Sequence, residues 1–192
     1  MIAGIVLAAG SGVRYRAMTG RDKLTDPIPP PWPGHGTPVI LAAIAAMTAA
    51  LDRVVTIVRP DNQALIALLK ERGLTYLTVQ TDGLGLTLAA AVEQTPTKTG
   101  WMVTLGDMPF IQTGTIAALA ARLTPTAIVA PFCGNRTGHP VGFGSAFGAE
   151  LAALKGDHGG RALLKSHQPL LLTSDDSGTI TDMDAVYGLT GK

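Results

Sequence analysis

The chain has one cysteine, Cys133, so no internal disulfide can form, and a reducing cytoplasm is the expected home. Charged residues are also scarce, at 15% against the ~25% usual in globular chains. A net charge of +1 gives no electrostatic case for nucleic acid or an anionic membrane. No basic n-region precedes the first apolar run, which reads as a strand rather than a signal. The longest greasy segment, Val39 to Leu51, is too short to span a bilayer. There is no repeat of fixed period and no low-complexity tail. None of the four histidines shows metal-ligand spacing, and no Ser-His-Asp arrangement stands out. Cys133 lacks a base partner and reads as core packing. These absences leave a single compact domain over residues 1–192, with 46% hydrophobic residues to build its core.

What is present is concentrated at the start. Ile2 to Ala8 is short, apolar and partly β-branched, the pattern of a strand buried on both faces. Ala9-Gly10-Ser11-Gly12 follows, and small residues let backbone N–H groups approach a ligand without interference from Cβ. Successive N–H groups in such a turn make a concavity suited to phosphate oxygens. Arg14, Arg16, Arg21 and Lys23 come next, opposed only by Asp22. A buried strand, a small-residue loop and a cationic arm together point to a polyphosphate site. The Walker loop is absent, because the spacing fails and Leu24 follows Lys23. The dinucleotide fingerprint matches at Gly10 and Gly12 but has Tyr15 in its third position. Five prolines, together with Gly34 and Gly36, occupy positions 27 to 36. The first helix is therefore expected near Thr37, with Thr37 as N-cap and Pro38 at its first position. On this reading the loop meets its ligand as an open arm.

Further along, strands are expected at Arg53–Val58, Leu74–Val79, Trp101–Leu105, Ala127–Pro131, Val141–Phe143, Leu170–Thr173 and Ile180–Met183. Helices are expected at Val39–Ala50, from an Asp61 cap to Lys70, and at Leu86–Gln94, Thr115–Leu123, Ala146–Leu154 and Arg161–Ser166. Strands alternating with helices imply right-handed crossovers and a mainly parallel sheet covered on both faces. The fold class is α/β, a Rossmann-like three-layer α/β/α sandwich, with the direction of the late strands left open. Ligands of such sheets sit beyond the carboxyl ends of the strands, where the first loop and Asp107 both fall.

Asp107, in Gly106-Asp107-Met108-Pro109, ends a buried strand. A carboxylate there suits a magnesium ion held between protein and phosphates, and equally suits a chain turn or cap. Asp182 and Asp184 form a D-x-D pair that by itself reads as solvated surface. Asp82-Gly83-Leu84-Gly85-Leu86-Thr87 reads as a helix entry. Asp157 can cap the helix that carries Arg161, and glycines at a helix start permit anion approach.

Leu7-Ala8-Ala9-Gly10-Ser11-Gly12-x-Arg14, with Asp22-Lys23-Leu24 downstream, resembles the signature loop of MobA-like nucleotidyltransferases, closest to the molybdenum-cofactor cytidylyltransferases. Eight residues separate Arg14 from Lys23, more than is usual in that family, and the proline-rich insert is also longer. The resemblance continues through Gly-Asp-Met-Pro, Gly138-His139-Pro140-Val141, Gly156-Asp157-x-Gly159-Gly160-Arg161 and the acidic end, in family order. It implies a triphosphate wrapped by Leu7 to Gly12, with Lys23 and Arg14 neutralising it. It implies magnesium on Asp107 and a second aspartate, Asp184 before Asp182. The segment after Asp184 departs from the family's Thr-Pro-Glu-Asp run, so Asp182 stays in play. Asp82 and Thr87 become nucleotide contacts, and His139, Gly160 and Arg161 acceptor contacts. The implied reaction moves a nucleoside monophosphate, CMP from CTP, onto a phosphorylated small molecule such as molybdopterin. The Ala8-Ala9-Gly10 form of the loop favours the cytidylyl over the guanylyl branch. A molybdoenzyme or chaperone partner is left open.

Other readings stay beside this one. A GTP-using or sugar-type transferase shares the fold, although the Asp-Ala-Ala-Arg-Pro-like segment of sugar-alcohol and terpenoid-precursor enzymes is missing. Arg59, after the second strand, would face a 2′-phosphate if the chain were an NADP-dependent reductase. A nucleotide-binding module without turnover is the non-enzyme reading.

Overall fold

The computed structural model describes residues 1–80, 83–157 and 159–188, and of Ala185 only the backbone. The strands are β1 Ile2–Ala8, β2 Val54–Val58, β3 Tyr76–Thr78, β4 Gly100–Leu105, β5 Ile128–Cys133, β6 Arg136–Thr137, β7 Val141–Gly144 and β8 Leu170–Thr173. The helices are α1 Val13–Thr19, α2 Val39–Thr48, α3 Gln63–Glu71, α4 Leu84–Gln94, α5 Thr113–Ala120, α6 Gly148–Ala152, α7 Arg161–Ser166 and α8 Met183–Val186.

Among the described residues the strands form one mixed sheet in the order β3-β2-β1-β4-β7-β5-β6, with β8 also paired to β5. The half that matters for the site is parallel. β1 pairs with β2 from Gly4↔Val54 to Ala8↔Val58, and with β4 from Ile2↔Gly100 to Leu7↔Leu105. Ala8 and Leu105 therefore end side by side, and both following loops leave from one edge. The antiparallel strand β7 lies between β4 and β5.

Alternation along β1 sends Val6 and Ala8 to one face and Ala3, Ile5 and Leu7 to the other. The first face is covered by α2, α3 and α5 through Ile40, Leu65 and Leu119. The second is covered by α4, α6 and α7 through Leu88, Leu151 and Leu163. Two apolar cores on opposite faces of one sheet make the expected three layers. No helix among the described residues is long and apolar enough to cross a membrane.

Three expectations need correction. The first loop does not open into an arm. It enters α1 directly, with Gly12 as N-cap at φ 57 and Gly20 as C-cap at φ 71. Tyr15 is the buried residue of this seven-residue helix, so no apolar stripe marks it in the sequence. Tertiary contacts hold it, since the Tyr15 hydroxyl donates to Asp26 and its ring packs on Tyr187. The proline-rich segment then folds back on itself. Ile28 N donates to Thr37 O at 2.9 Å, and Val39 N to Asp26 O at 3.0 Å. Ile28 is buried, and Trp32 stacks on Phe110.

The expected last strand at Ile180–Met183 is absent among the described residues. A 3-10 turn, Ser177–Ile180, leads instead into α8. Helix caps also shift: Pro38 rather than Thr37 precedes α2, and Asn62 rather than Asp61 caps α3 by accepting from Leu65 N. Gly160, not Asp157, is the N-cap residue of α7.

Candidate active site

Three separate stretches of chain meet where β1 and β4 end. The first carries Lys23. Asp22 sets its direction, because Asp22 Oδ1 accepts from Leu24 N at 2.9 Å while Oδ2 accepts from Asn62 Nδ2. The second is the turn after β4, which carries Asp107. The third is the end of the described chain, where α8 carries Asp184. Met183 N donates to Asp107 O at 3.0 Å and stitches the second to the third.

Lys23 Nζ donates to Asp107 Oδ2 at 2.7 Å and to Asp184 Oδ1 at 2.8 Å. Arg14 Nη2 reaches the other oxygen of Asp184 at 2.8 Å. The Lys23 side chain is 10% exposed, whereas that of Arg14 is 60% exposed. Burial alone pulls the Lys23 ammonium toward neutrality, but Asp107 and Asp184 together outweigh it, and the pKa lies above the ordinary value. Lys23 is therefore charged throughout the neutral range.

A cleft of about 590 Å³ opens in front of this cluster, lined by the whole run Leu7 to Gly12 together with Lys23 and Asp107. Gly10 and Gly12 have no atom within 4 Å of an added Cβ, so the loop's outer surface is clear for a ligand. Thr87 lines the same cleft, although its hydroxyl donates to Gly83 O at 2.9 Å within its own helix. Asp82 lies outside the described residues. A second cleft, about 800 Å³, holds His139, Gly160, Arg161 and Asp182. The two clefts share Leu7, Leu84, Leu105 and Asp157, and so are neighbours across one wall.

His139 Nδ1 is sealed from solvent and has no hydrogen-bond partner among the described residues. Burial lowers the His139 pKa, against smaller opposing effects of the Val103 backbone and Asp107. The imidazole is thus neutral at pH 7, and separately the main-chain N–H of His139 donates to Thr179 O at 2.8 Å.

The geometry thus joins Lys23, Asp107, Asp184 and Arg14 in one cluster, and gathers His139, Gly160 and Arg161 in the adjoining cleft. Asp182 lines that second cleft. Sequence reasoning set Arg59 at the ligand edge only under the reductase reading, and missed Leu84 as a first-cleft residue and Lys165 as a second-cleft residue. Arg59 sits directly after β2, a position that points to the ligand edge of a parallel sheet. Lys165 stands four residues after Arg161 on α7, the helical spacing that puts both on one face.

The site suits a divalent cation chemically. Two carboxylates converge on one positive charge, and the oxygen donors are hard. Among the described residues no group of three or more His, Cys, Asp or Glu could hold a metal alone.

A three-layer α/β/α protein with a phosphate-sized loop after β1 and carboxylates at the same sheet edge has a nucleotidyltransferase fold. The chain belongs to the family of the MobA-like NTP transferase domain, whose family model matches residues 4–170. The purine catabolism protein PucB of Bacillus subtilis is 27% identical over 195 residues, covering 94% of this chain and 90% of PucB. The crystal structure of Rv0371c from Mycobacterium tuberculosis superposes with a TM-score of 0.78 at 26% identity, covering 91% of this chain and 88% of that one. Rv0371c has also been solved in complex with manganese, and that structure gives a TM-score of 0.71 at 25% identity, covering 90% and 88%. A nucleotidyl transferase from Methanothermobacter thermautotroptrophicus shares the fold, with a TM-score of 0.71 at 17% identity and coverage of 98% and 95%.

Proposed function

We propose that this protein is a magnesium-dependent cytidylyltransferase that moves CMP from CTP onto a phosphorylated acceptor of the molybdopterin type and releases pyrophosphate. The observation that carries the reading is the buried Lys23 ammonium held between Asp107 and Asp184 at the mouth of the Leu7–Gly12 loop. The triphosphate lies along that loop, where backbone N–H groups meet its oxygens. Lys23 and Arg14 balance its charge. Asp107 and Asp184 would hold the metal, and the manganese complex of Rv0371c supports a divalent ion in this fold. When bound, magnesium supplies positive charge to the triphosphate and to the departing pyrophosphate.

The acceptor occupies the second cleft. Arg161, Lys165 and Arg136 there suit an anionic group, and Phe143, Val103 and Val141 suit an apolar body. An acceptor phosphate oxygen attacks the α-phosphorus, and the bond from the α-phosphorus to the bridging oxygen breaks. Pyrophosphate leaves with that electron pair. No protein nucleophile is required, because positioning and charge stabilisation carry such transfers. The preference for CTP rests on the Ala8-Ala9-Gly10 form of the loop.

The test is pyrophosphate release from CTP, GTP, ATP and UTP, each with magnesium and with molybdopterin or its molybdenum-loaded form. The expected result is release from CTP that stops in Asp107→Asn. Release from GTP alone would move the protein to the guanylyl branch. Tight nucleotide binding with no release from any pair would identify a binding module instead.

A further inference from the structure

The segment that brings Asp184 to the site hangs on a carboxylate that lines neither of these two clefts. Asp176 is buried, at 4% exposure. Its Oδ2 accepts from Gln112 N at 2.9 Å and from Thr115 Oγ1 at 2.8 Å. Its Oδ1 accepts from Gly178 N at 3.0 Å. Its main-chain carbonyl accepts from Thr179 Oγ1 at 2.8 Å. Among the described residues its partners are hydrogen-bond donors rather than a cation. Gln112 precedes α5 and offers that helix no side-chain cap, so an acid 64 residues downstream takes the role. There it also meets the positive end of the α5 dipole.

The two Oδ2 bonds tie Asp176 to the start of α5, and the Oδ1 bond fixes the turn that Asp176 itself opens. Gln112 closes the loop that begins at Asp107. Gly178 opens the turn that leads to Asp184. Between these anchors the turn lies backbone on backbone, and a Cβ at Gly178 would stand 2.1 Å from Phe110 O. The far side of the turn is held as well, by His139 N on Thr179 O and by Arg136 Nη2 on Ile180 O at 2.9 Å. A helix cap alone would account for the Gln112 and Thr115 bonds. The grip on Gly178 is a second cap, on the Ser177–Ile180 turn, and one carboxylate serving both caps joins the two segments.

We propose that Asp176 is a positioning residue for the reaction: it clamps the Asp107 loop to the Asp184 segment and so sets the spacing of the two carboxylates that hold the metal. The inference rests on the metal assignment made above. Asparagine has the same shape but cannot replace the carboxylate. Whichever way the amide turns, its NH2 faces a backbone N–H, either that of Gln112 or that of Gly178, and one side of the clamp is lost.

The experiment measures binding of Mn2+ to the full chain by the paramagnetic resonance of the free ion, with and without CTP. CTP affinity in the absence of metal and the melting temperature are recorded alongside. Asp176→Asn is expected to weaken Mn2+ binding roughly tenfold or more, the usual effect of losing a partner of metal ligands, while metal-free CTP affinity stays within about twofold of wild type. Thr115→Val removes one donor and shifts Mn2+ affinity the same way by less, which keeps the test available if Asp176→Asn folds poorly. Met47→Ala, in the core under α2, lowers the melting temperature without moving Mn2+ affinity. Wild-type Mn2+ affinity in both Asp176→Asn and Thr115→Val would overturn the inference and leave the proposed function standing. An equal loss in Met47→Ala would overturn it too, as a mere stability effect. A wild-type chain that holds no Mn2+ in either condition would bring down the metal assignment and the clamp together.

Discussion

Lys23 Nζ lies 2.7 Å from Asp107 Oδ2, joining residues 84 positions apart in the chain. The same ammonium also holds Asp184. One positive charge thus stands where two carboxylates would otherwise repel each other, in the place a divalent ion would take. Lys23 balances the acids in the free protein, and under the proposed function it also faces the triphosphate.

Lys23→Met separates these roles. Turnover should fall by about 10²- to 10³-fold, the usual loss when one charge-stabilising group is removed. Binding of Mn2+ without nucleotide should tighten, because the ammonium no longer competes for the carboxylates. Steady-state kinetics and Mn2+ titration check the two halves independently. Weaker Mn2+ binding in Lys23→Met would contradict the competition.

Asp107→Asn should abolish metal-dependent turnover, with a loss of about 10²-fold or more. Far-ultraviolet circular dichroism should be unchanged, because the side chain is not part of either core. Asp184→Asn should follow it in direction. Asp182→Asn should leave metal affinity near wild type, because Asp182 faces the second cleft.

Gly10→Ala isolates the ligand from the fold. An added Cβ meets nothing within 4 Å, and the residue lies outside the left-handed region. Stability should hold or rise by about 0.4–1 kcal/mol, since the unfolded chain loses freedom. Nucleotide affinity should fall by about tenfold, because the methyl group stands where phosphate approaches the backbone. Calorimetry with CTP, paired with thermal unfolding, reads both. An unchanged CTP affinity would remove the loop from the phosphate site.

His139 predicts an acid-side weakness. Its folded pKa lies below the ordinary 6.5, so below that pH the unfolded chain takes up the proton more readily than the folded one. Stability should decline as pH falls from 6.5 toward the folded value, and His139→Asn should flatten that decline. Urea midpoints at a series of pH values measure it. Lys23 acts at the other end: its raised pKa means its stabilisation is complete below 10.5 and is lost as pH rises through the folded value.

Much of the fold was legible before any coordinates. β1 is an unbroken apolar run and β4 is one but for Thr104, both are buried on both faces, and such runs announce central parallel strands. α4 and α7 were expected within two residues of their observed ends. α1 was not legible. Seven residues with one buried side chain carry no periodicity, and its support comes from Asp26 and Tyr187. The glycines at both its ends, Gly12 and Gly20, were the available sign. The last expected strand failed for a related reason: Thr179 and Ile180 look β-prone, but the Asp176 bond to Gly178 N bends the chain into a turn first.

The site divides in the same way. The small-residue loop was readable from local chemistry at the end of a buried strand, and Lys23 and Asp107 were singled out by what the family resemblance implies. The choice between Asp184 and Asp182 was not readable, since two residues of spacing in an acidic pair carry no direction. That choice is made by Met183 N on Asp107 O and by the turn that Asp176 holds against Phe110.

The sequence alone thus determined the parallel sheet core and the small-residue loop that ends β1, because apolar runs and small-residue turns act over a few neighbouring residues. The tertiary structure alone decided which second carboxylate meets Lys23, that the proline-rich arm folds shut, and that two clefts adjoin. The meeting of Lys23 with Asp184 joins residues 161 positions apart, a geometry that exists only once both cores have formed.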